Sequence, residues 1–126
     1  FKELDGPIEM NGREVFKFAV RKLPDIVEKV IRKADGTLAE LDLLIPHQAN
    51  LRIIEAARER LGIAEEKVIV TIEEHANTSA ASIPLALEEA RSQGRLQPGT
   101  TLVLAGFGAG LTWGAAYITW TKGENT

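Results

Sequence analysis

An α/β fold, with a mixed, mostly parallel sheet covered by helices, is predicted for this chain by three observations. Stretches with apolar residues at helical spacing alternate with short runs of aliphatic and β-branched residues, in the order α-β-α-β-α-β-β. Strands separated by helices pair parallel through crossovers, so most of the sheet is expected to be parallel. The last two runs are separated only by the glycine-rich stretch Gly106–Gly110, so the final strand is expected to turn back antiparallel. The 126 residues are 44% hydrophobic and 26% charged, an ordinary globular composition. At this length one domain can bury roughly two-thirds of its unfolded surface.

Each element has its own warrant. Residues 1–12 read as a loop, because Gly6-Pro7 and Asn11-Gly12 are turn dipeptides. From Arg13 the apolar residues Val15, Phe18, Ala19, Leu23, Ile26, Val27, Val30 and Ile31 fall on one helical face, with most of the charges opposite. Pro24 is expected to kink or split this helix, and Gly36 to end the region. The run Leu41 to Ile45, closed by Pro46, reads as a buried strand. Asn50 caps a helix from Leu51 to Leu61 that turns Ile53, Ile54, Ala57 and Leu61 inward and stops at Gly62. Lys67 to Ile72 reads as a second strand. Ser79 to Ser92 forms a helix that tolerates Pro84 in its first turns. After the turn Gln97-Pro98-Gly99, a third strand covers Thr101 to Ala105 and a fourth Thr112 to Trp120. No internal repeat, low-complexity tract or linker interrupts the pattern.

Composition excludes several classes of function. Fifteen Lys and Arg against eighteen Asp and Glu leave a net charge of −3, and no basic patch stands out. Nucleic acid is therefore not expected as a partner. The absence of cysteine removes disulfides, cysteine-ligated zinc and a cysteine nucleophile from this chain. No apolar run approaches the ~20 residues that span a bilayer, and no signal-peptide pattern opens the chain, so no membrane association is expected. A cytoplasmic location is compatible with the lack of cysteine. Because the first residue is Phe1, the chain is expected to be a piece of a longer protein.

Function in such folds collects where loops and helix N-termini meet the C-terminal ends of strands. His47 follows one strand end in Pro46-His47-Gln48-Ala49-Asn50, and Asn77 follows another in Glu74-His75-Ala76-Asn77-Thr78-Ser79. Both precede a helix, whose N-terminus disfavours a protonated imidazole. A neutral His and an Asn amide aimed at one point would supply two donors to a developing oxyanion. The alternative reading makes His47 a hydrogen-bonded loop residue and Asn50 and Asn77 simple caps. His75 with Glu73 and Glu74 reads as solvated loop rather than a metal cluster, and Asn77-Thr78-Ser79 as an accidental glycosylation match. Gly106, Gly108 and Gly110 give G-x-G-x-G followed by strand rather than helix, which disfavours a dinucleotide site. These glycines either shape a hairpin or let backbone approach a ligand closely.

Four blocks together carry a family resemblance. They are Met10-Asn11-Gly12-Arg13-Glu14-Val15-Phe16-Lys17-Phe18-Ala19-Val20, Ile45-Pro46-His47-Gln48-Ala49-Asn50-Leu51-Arg52-Ile53-Ile54, Asn77-Thr78-Ser79-Ala80-Ala81-Ser82-Ile83-Pro84-Leu85-Ala86-Leu87 and Gly106-Phe107-Gly108-Ala109-Gly110-Leu111-Thr112-Trp113-Gly114. In order and spacing the chain resembles the C-terminal half of the β-ketoacyl-acyl-carrier-protein synthase III family, over nearly its whole length. The resemblance implies one half of a thiolase-type fold, in which two similar α/β halves pack into a five-layered core. It also implies a Cys-His-Asn triad, in which Cys takes an acyl primer from acetyl-CoA or a related thioester. His and Asn then assist decarboxylation of malonyl-acyl-carrier protein, with no metal or other cofactor.

On that resemblance His47 and Asn77 match the family's His and Asn. Gly108 and Ala109 fall in the glycine loop that lends a backbone N–H to the oxyanion hole; many members carry Gly where Ala109 stands, and the donor survives the change. Arg52 matches a basic residue that docks the acidic carrier protein, and Gly12, Phe16, Ala49, Asn50 and Ile53 match the lining of the pantetheine tunnel. The implied partners are acyl carrier protein, CoA thioesters, an N-terminal half bearing the Cys, and a second copy in a homodimer. The departure is that this chain has no Cys, so alone it is expected to be inactive in condensation. Two other readings remain open: another thiolase-fold synthase, of polyketide or hydroxymethylglutaryl-CoA type, or a non-catalytic subunit that pairs with a Cys-bearing chain.

Overall fold

The structure, a computed structural model, describes residues 6, 7 and 9–121. Of the loop expected over residues 1–12, positions 1–5 and 8 lie outside the described residues, and Gly6, Pro7 and 9–11 carry no helix or strand. Helix α1 (Gly12–Lys33) starts at Asn11, whose Oδ1 accepts the Glu14 N–H at 3.2 Å. Its stripe Ala19, Leu23, Val27 and Ile31, spaced by four residues, is fully buried. Of the kink or split expected at Pro24, the split does not occur: one 22-residue helix runs through it. Proline removes one ladder bond, but Pro24 is itself buried and the apolar stripe on both sides of it is held by tertiary packing. The helix ends at Lys33, three residues before the expected glycine. Asp35 takes the left-handed conformation (φ 55°), while the Asp35 and Gly36 N–H groups donate to the Arg32 and Ile31 carbonyls, each at 3.1 Å.

Three strands form the sheet among the described residues: β1 (Leu43–Pro46), β2 (Thr101–Gly108) and β3 (Thr112–Thr119), in that order. β1 pairs parallel with β2, from Leu43 opposite Leu102 to Pro46 opposite Ala105. β2 pairs antiparallel with β3, from Thr101 opposite Thr119 to Gly108 opposite Thr112. The sheet is thus mixed, as expected, with one parallel and one antiparallel strand pairing. The strand expected over Lys67 to Ile72 contracts to a single parallel bridge, Val68 against Leu44, with the Ile69 N–H donating to the Leu44 carbonyl at 3.0 Å. The next rung would need an N–H from residue 46, which is Pro. Ile72 then opens the short helix α3 (Ile72–His75), so Glu73, Glu74 and His75 sit on an exposed helical turn instead of a loop.

Helix α2 (Leu51–Leu61) matches its expected bounds, with Asn50 Oδ1 accepting the Arg52 N–H at 2.8 Å and Gly62 left-handed at φ 65°. Helix α4 (Ser82–Ser92) begins three residues later than expected, because Ser79–Ala81 wind as a 3₁₀ turn first. The period of two along the strands divides the core into two layers. Leu44, Val103 and Ala105 face α1 and α2, among Ala19, Val27, Ile54 and Ala57. Leu43, Ile45 and Leu102 face α4, against Ala86 and Ala90. Gly106 and Gly108 belong to β2, which runs three residues past its expected end, and Ala109–Leu111 close the hairpin to β3. The glycine stretch is therefore a hairpin, with no helix behind it to receive a dinucleotide.

Candidate active site

Parallel pairing sets the position of His47 at the end of β1. Its N–H donates to the Ala105 carbonyl at 2.7 Å, so the backbone of β2 holds the residue beyond the point where β1 ends. The imidazole is half-buried. Its Nδ1 lies 2.5 Å from Ser82 Oγ, and the ring of Phe107 meets it edge-on, with centroids 5.6 Å apart at 72°. Burial pushes the imidazole pKa below its ordinary value, because a low-dielectric surrounding disfavours the charged form. His47 is accordingly neutral at pH 7, the form in which one ring nitrogen donates and the other accepts.

Asn77 is placed by a strained loop. Ala76 has φ 56° and ψ −162°, and Ser79 has φ 54°. Between them, the Asn77 Oδ1 accepts the Ser79 N–H at 3.0 Å. That bond identifies the oxygen end of the amide and leaves its NH₂ without a partner among the described residues. The Ala76 conformation is one that only glycine occupies freely, and it costs roughly 1–3 kcal/mol. Ala76→Gly is expected to stabilise the protein by about 1 kcal/mol, since relief of strain exceeds the ~0.5–1 kcal/mol entropic cost of glycine. A rise in the urea midpoint checks this; a fall would show that the alanine methyl is not strained there.

Two side chains that follow or face His47 fasten the loop carrying Asn77 at both ends. Gln48 is completely buried. Its Nε2 donates to the Pro46 carbonyl (2.8 Å) and the Ile69 carbonyl (3.2 Å), and its Oε1 accepts the Thr71 N–H (2.9 Å). The carboxamide thereby supplies the donor that Pro46 lacks and replaces the missing strand pairing. At the other end, Ser82 Oγ accepts the Gln48 N–H at 3.3 Å and meets His47. Sequence reasoning did not single out Gln48 or Ser82 for these roles. Nothing in a Gln after a His, or a Ser at a helix start, signals burial.

His47, Asn77, Gly108 and Ala109 open onto one cavity of about 820 Å³, which Phe107 and Trp113 also line. The remaining expected residues lie outside that cavity, around the starts of α1 and α2. Gly12 is the exposed first residue of α1, the Arg52 guanidinium lies over the Phe16 ring at 5.5 Å, and Asn50 caps α2. Ala49 packs on the core and Ile53 belongs to it, 4% exposed. Trp113 is fixed from the α1 side, by Phe18 edge-on at 5.4 Å and by the Lys22 ammonium 5.2 Å from its ring. No group of three or more His, Asp or Glu is arranged to hold a metal among the described residues. Two neutral donors at one cavity, beside the glycine hairpin, can stabilise negative charge on a carbonyl oxygen.

Comparison with known proteins gives one consistent result. The model of the family described as 3-oxoacyl-[acyl-carrier-protein (ACP)] synthase III C terminal matches residues 31–120. The chain is 55% identical over 121 residues to the beta-ketoacyl-[acyl-carrier-protein] synthase III 2 of Deinococcus radiodurans, covering 96% of this chain and 36% of that protein. It is likewise 55% identical over 117 residues to the beta-ketoacyl-[acyl-carrier-protein] synthase III of Staphylococcus aureus strain JH1, with 93% and 37% covered. Among solved structures, the synthase III from Thermus thermophilus superposes with a TM-score of 0.87 at 56% identity, covering 89% of this chain and 35% of that one. The synthase III from Aquifex aeolicus gives 0.89 at 47%, covering 94% and 38%. The chain therefore spans little more than a third of the length of the relatives it matches.

Proposed function

This chain belongs to the 3-oxoacyl-[acyl-carrier-protein] synthase III C-terminal family, and on that premise we propose that it is the C-terminal catalytic domain of an initiating ketosynthase of type II fatty-acid synthesis. The reaction is the condensation of an acyl-CoA primer, acetyl-CoA in the simplest case, with malonyl-acyl-carrier protein. The nucleophilic Cys belongs to an N-terminal half outside residues 1–126. It takes the acyl group from CoA as a thioester, releasing the CoA thiol. The bond between the malonyl α-carbon and its carboxylate then breaks, carbon dioxide leaves, and the electron pair moves into an enolate whose oxygen accepts hydrogen bonds from His47 and Asn77. The enolate carbon attacks the acyl-Cys carbonyl, and a backbone N–H of the Gly108-Ala109 turn stabilises that oxyanion before the thiolate departs.

The observation that carries this reading is the convergence of a neutral His47 and an outward-facing Asn77 amide, from two separate loops, on the cavity beside the β2–β3 hairpin. Arg52 presents its charge to the acidic carrier protein, while Gly12, Phe16, Ala49, Asn50 and Ile53 border the pantetheine path. No metal or other cofactor enters the reaction, and the assembled enzyme is a cytoplasmic homodimer. The test assays the complete polypeptide that carries this chain beside residues 1–126 alone, with acetyl-CoA and malonyl-acyl-carrier protein. β-Ketoacyl product is expected only from the complete polypeptide, since the nucleophile is absent from the fragment. Product from the fragment alone, or none from the complete polypeptide, would overturn the assignment.

A further inference from the structure

We propose that Ser82 is a positioning residue that holds His47 in the tautomer with its proton on Nε2, so that the imidazole donates into the cavity. The role rests on the decarboxylation chemistry proposed above; the proton placement rests on geometry alone. Ser82 is 1% exposed, so bulk water does not reach it. Its hydroxyl has two partners among the described residues, the Gln48 N–H at 3.3 Å and His47 Nδ1 at 2.5 Å. A backbone N–H can only donate, so Ser82 Oγ accepts from Gln48 and must place its own proton elsewhere. His47 Nδ1 is the one acceptor within reach among the described residues. Were Nδ1 protonated, Ser82 would accept from both partners and keep a buried O–H with no acceptor, which native structures avoid.

With Nδ1 accepting, the neutral ring carries its proton on Nε2. A donor is what an enolate oxygen requires, and the opposite tautomer would offer that oxygen a lone pair. The arrangement also couples the two catalytic loops. Ser82 opens α4 directly after the segment that carries Asn77, so the hydroxyl that sets the His47 proton also ties the His47 loop to the downstream end of the Asn77 loop. Gln48 N–H orients the hydroxyl, because it occupies one lone pair and directs the O–H toward the ring.

The experiment uses the complete polypeptide, labelled with ¹⁵N-histidine, with the His47 signals identified by their loss in His47→Gln. Correlation spectra distinguish a protonated from an unprotonated ring nitrogen. In the native protein His47 is expected to show Nε2–H and a bare, hydrogen-bonded Nδ1. Ser82→Ala, a loss of one atom, is expected to populate both neutral tautomers and to lower the rate of malonyl decarboxylation by roughly 10-fold, with the KM for malonyl-acyl-carrier protein unchanged. Ser82→Thr, which keeps the hydroxyl, is expected to restore the native spectrum. A native ring protonated on Nδ1 would overturn the inference, as would a Ser82→Ala spectrum or decarboxylation rate equal to the native one. If the spectra behave as expected but even the native protein releases no carbon dioxide, the proton placement stands and the proposed function falls.

Discussion

His47→Ala and Asn77→Ala, each introduced alone into the complete polypeptide, are expected to slow release of carbon dioxide from malonyl-acyl-carrier protein by roughly 10²–10³-fold, the usual cost of deleting one oxyanion donor. Both donors face the cavity from rigid supports. His47 hangs from β2 through its backbone and from α4 through Ser82, and Asn77 is turned by its bond to the Ser79 N–H. Neither removal touches the hairpin proposed to serve the acyl-Cys oxyanion, so transfer of the acyl group from CoA to the Cys is expected to change far less, by under ~10-fold. The double variant is expected to lose less than the product of the single losses, because in the proposed mechanism the two groups bind one oxygen and act as a unit. Separate measurement of radiolabelled acyl loading and carbon dioxide release checks this. Loading that falls as far as decarboxylation would remove His47 and Asn77 from the roles assigned to them.

A second large effect is expected at a residue that touches no substrate. Gln48→Met keeps the length and apolar bulk of the side chain and deletes its carboxamide, leaving the Ile69 and Pro46 carbonyls and the Thr71 N–H without their partner in a fully buried place. Buried groups left unpaired cost about 1–3 kcal/mol each, so a loss of roughly 3–5 kcal/mol is expected. The opening is local, because these bonds join the His47 loop to the start of the Asn77 loop. Exchange of the Thr71 amide hydrogen should accelerate by roughly two orders of magnitude before the rest of the sheet responds. A stability loss below ~1 kcal/mol would mean that neighbouring groups or water replace the carboxamide, and that the missing strand pairing needs no substitute.

Pattern in the chain made much of this legible. The alternation of helical and β-branched segments located α1, α2, α4 and the three paired strands, and Asn50 and Gly62 fixed both ends of α2. Local rules failed where a tertiary contact outweighed them. Pro24 ought to interrupt α1, but burial of Ala19, Leu23, Val27 and Ile31 keeps the helix whole. Lys67 to Ile72 has the composition of a strand, yet Pro46 opposite it cannot donate, and the segment keeps one bridge before it coils into α3. The same limit applies to the site. His47 and Asn77 were visible as polar residues after strand ends, whereas Gln48 and Ser82 were not, because their importance lies in what lies within 3.3 Å of them.

The sequence by itself determined the class of fold, the candidates for donor chemistry and the absence of a cysteine nucleophile from these 126 residues. Each depends on residue type and on spacing of a few positions, which local sterics and hydrophobic periodicity decide. Only the tertiary structure decided that residues 47 and 77, thirty positions apart, share a cavity, that a glutamine stands in for a strand, and that a buried hydroxyl meets the imidazole Nδ1. Those are properties of burial and of hydrogen-bond partners brought together from distant parts of the chain, and no window along the sequence contains them.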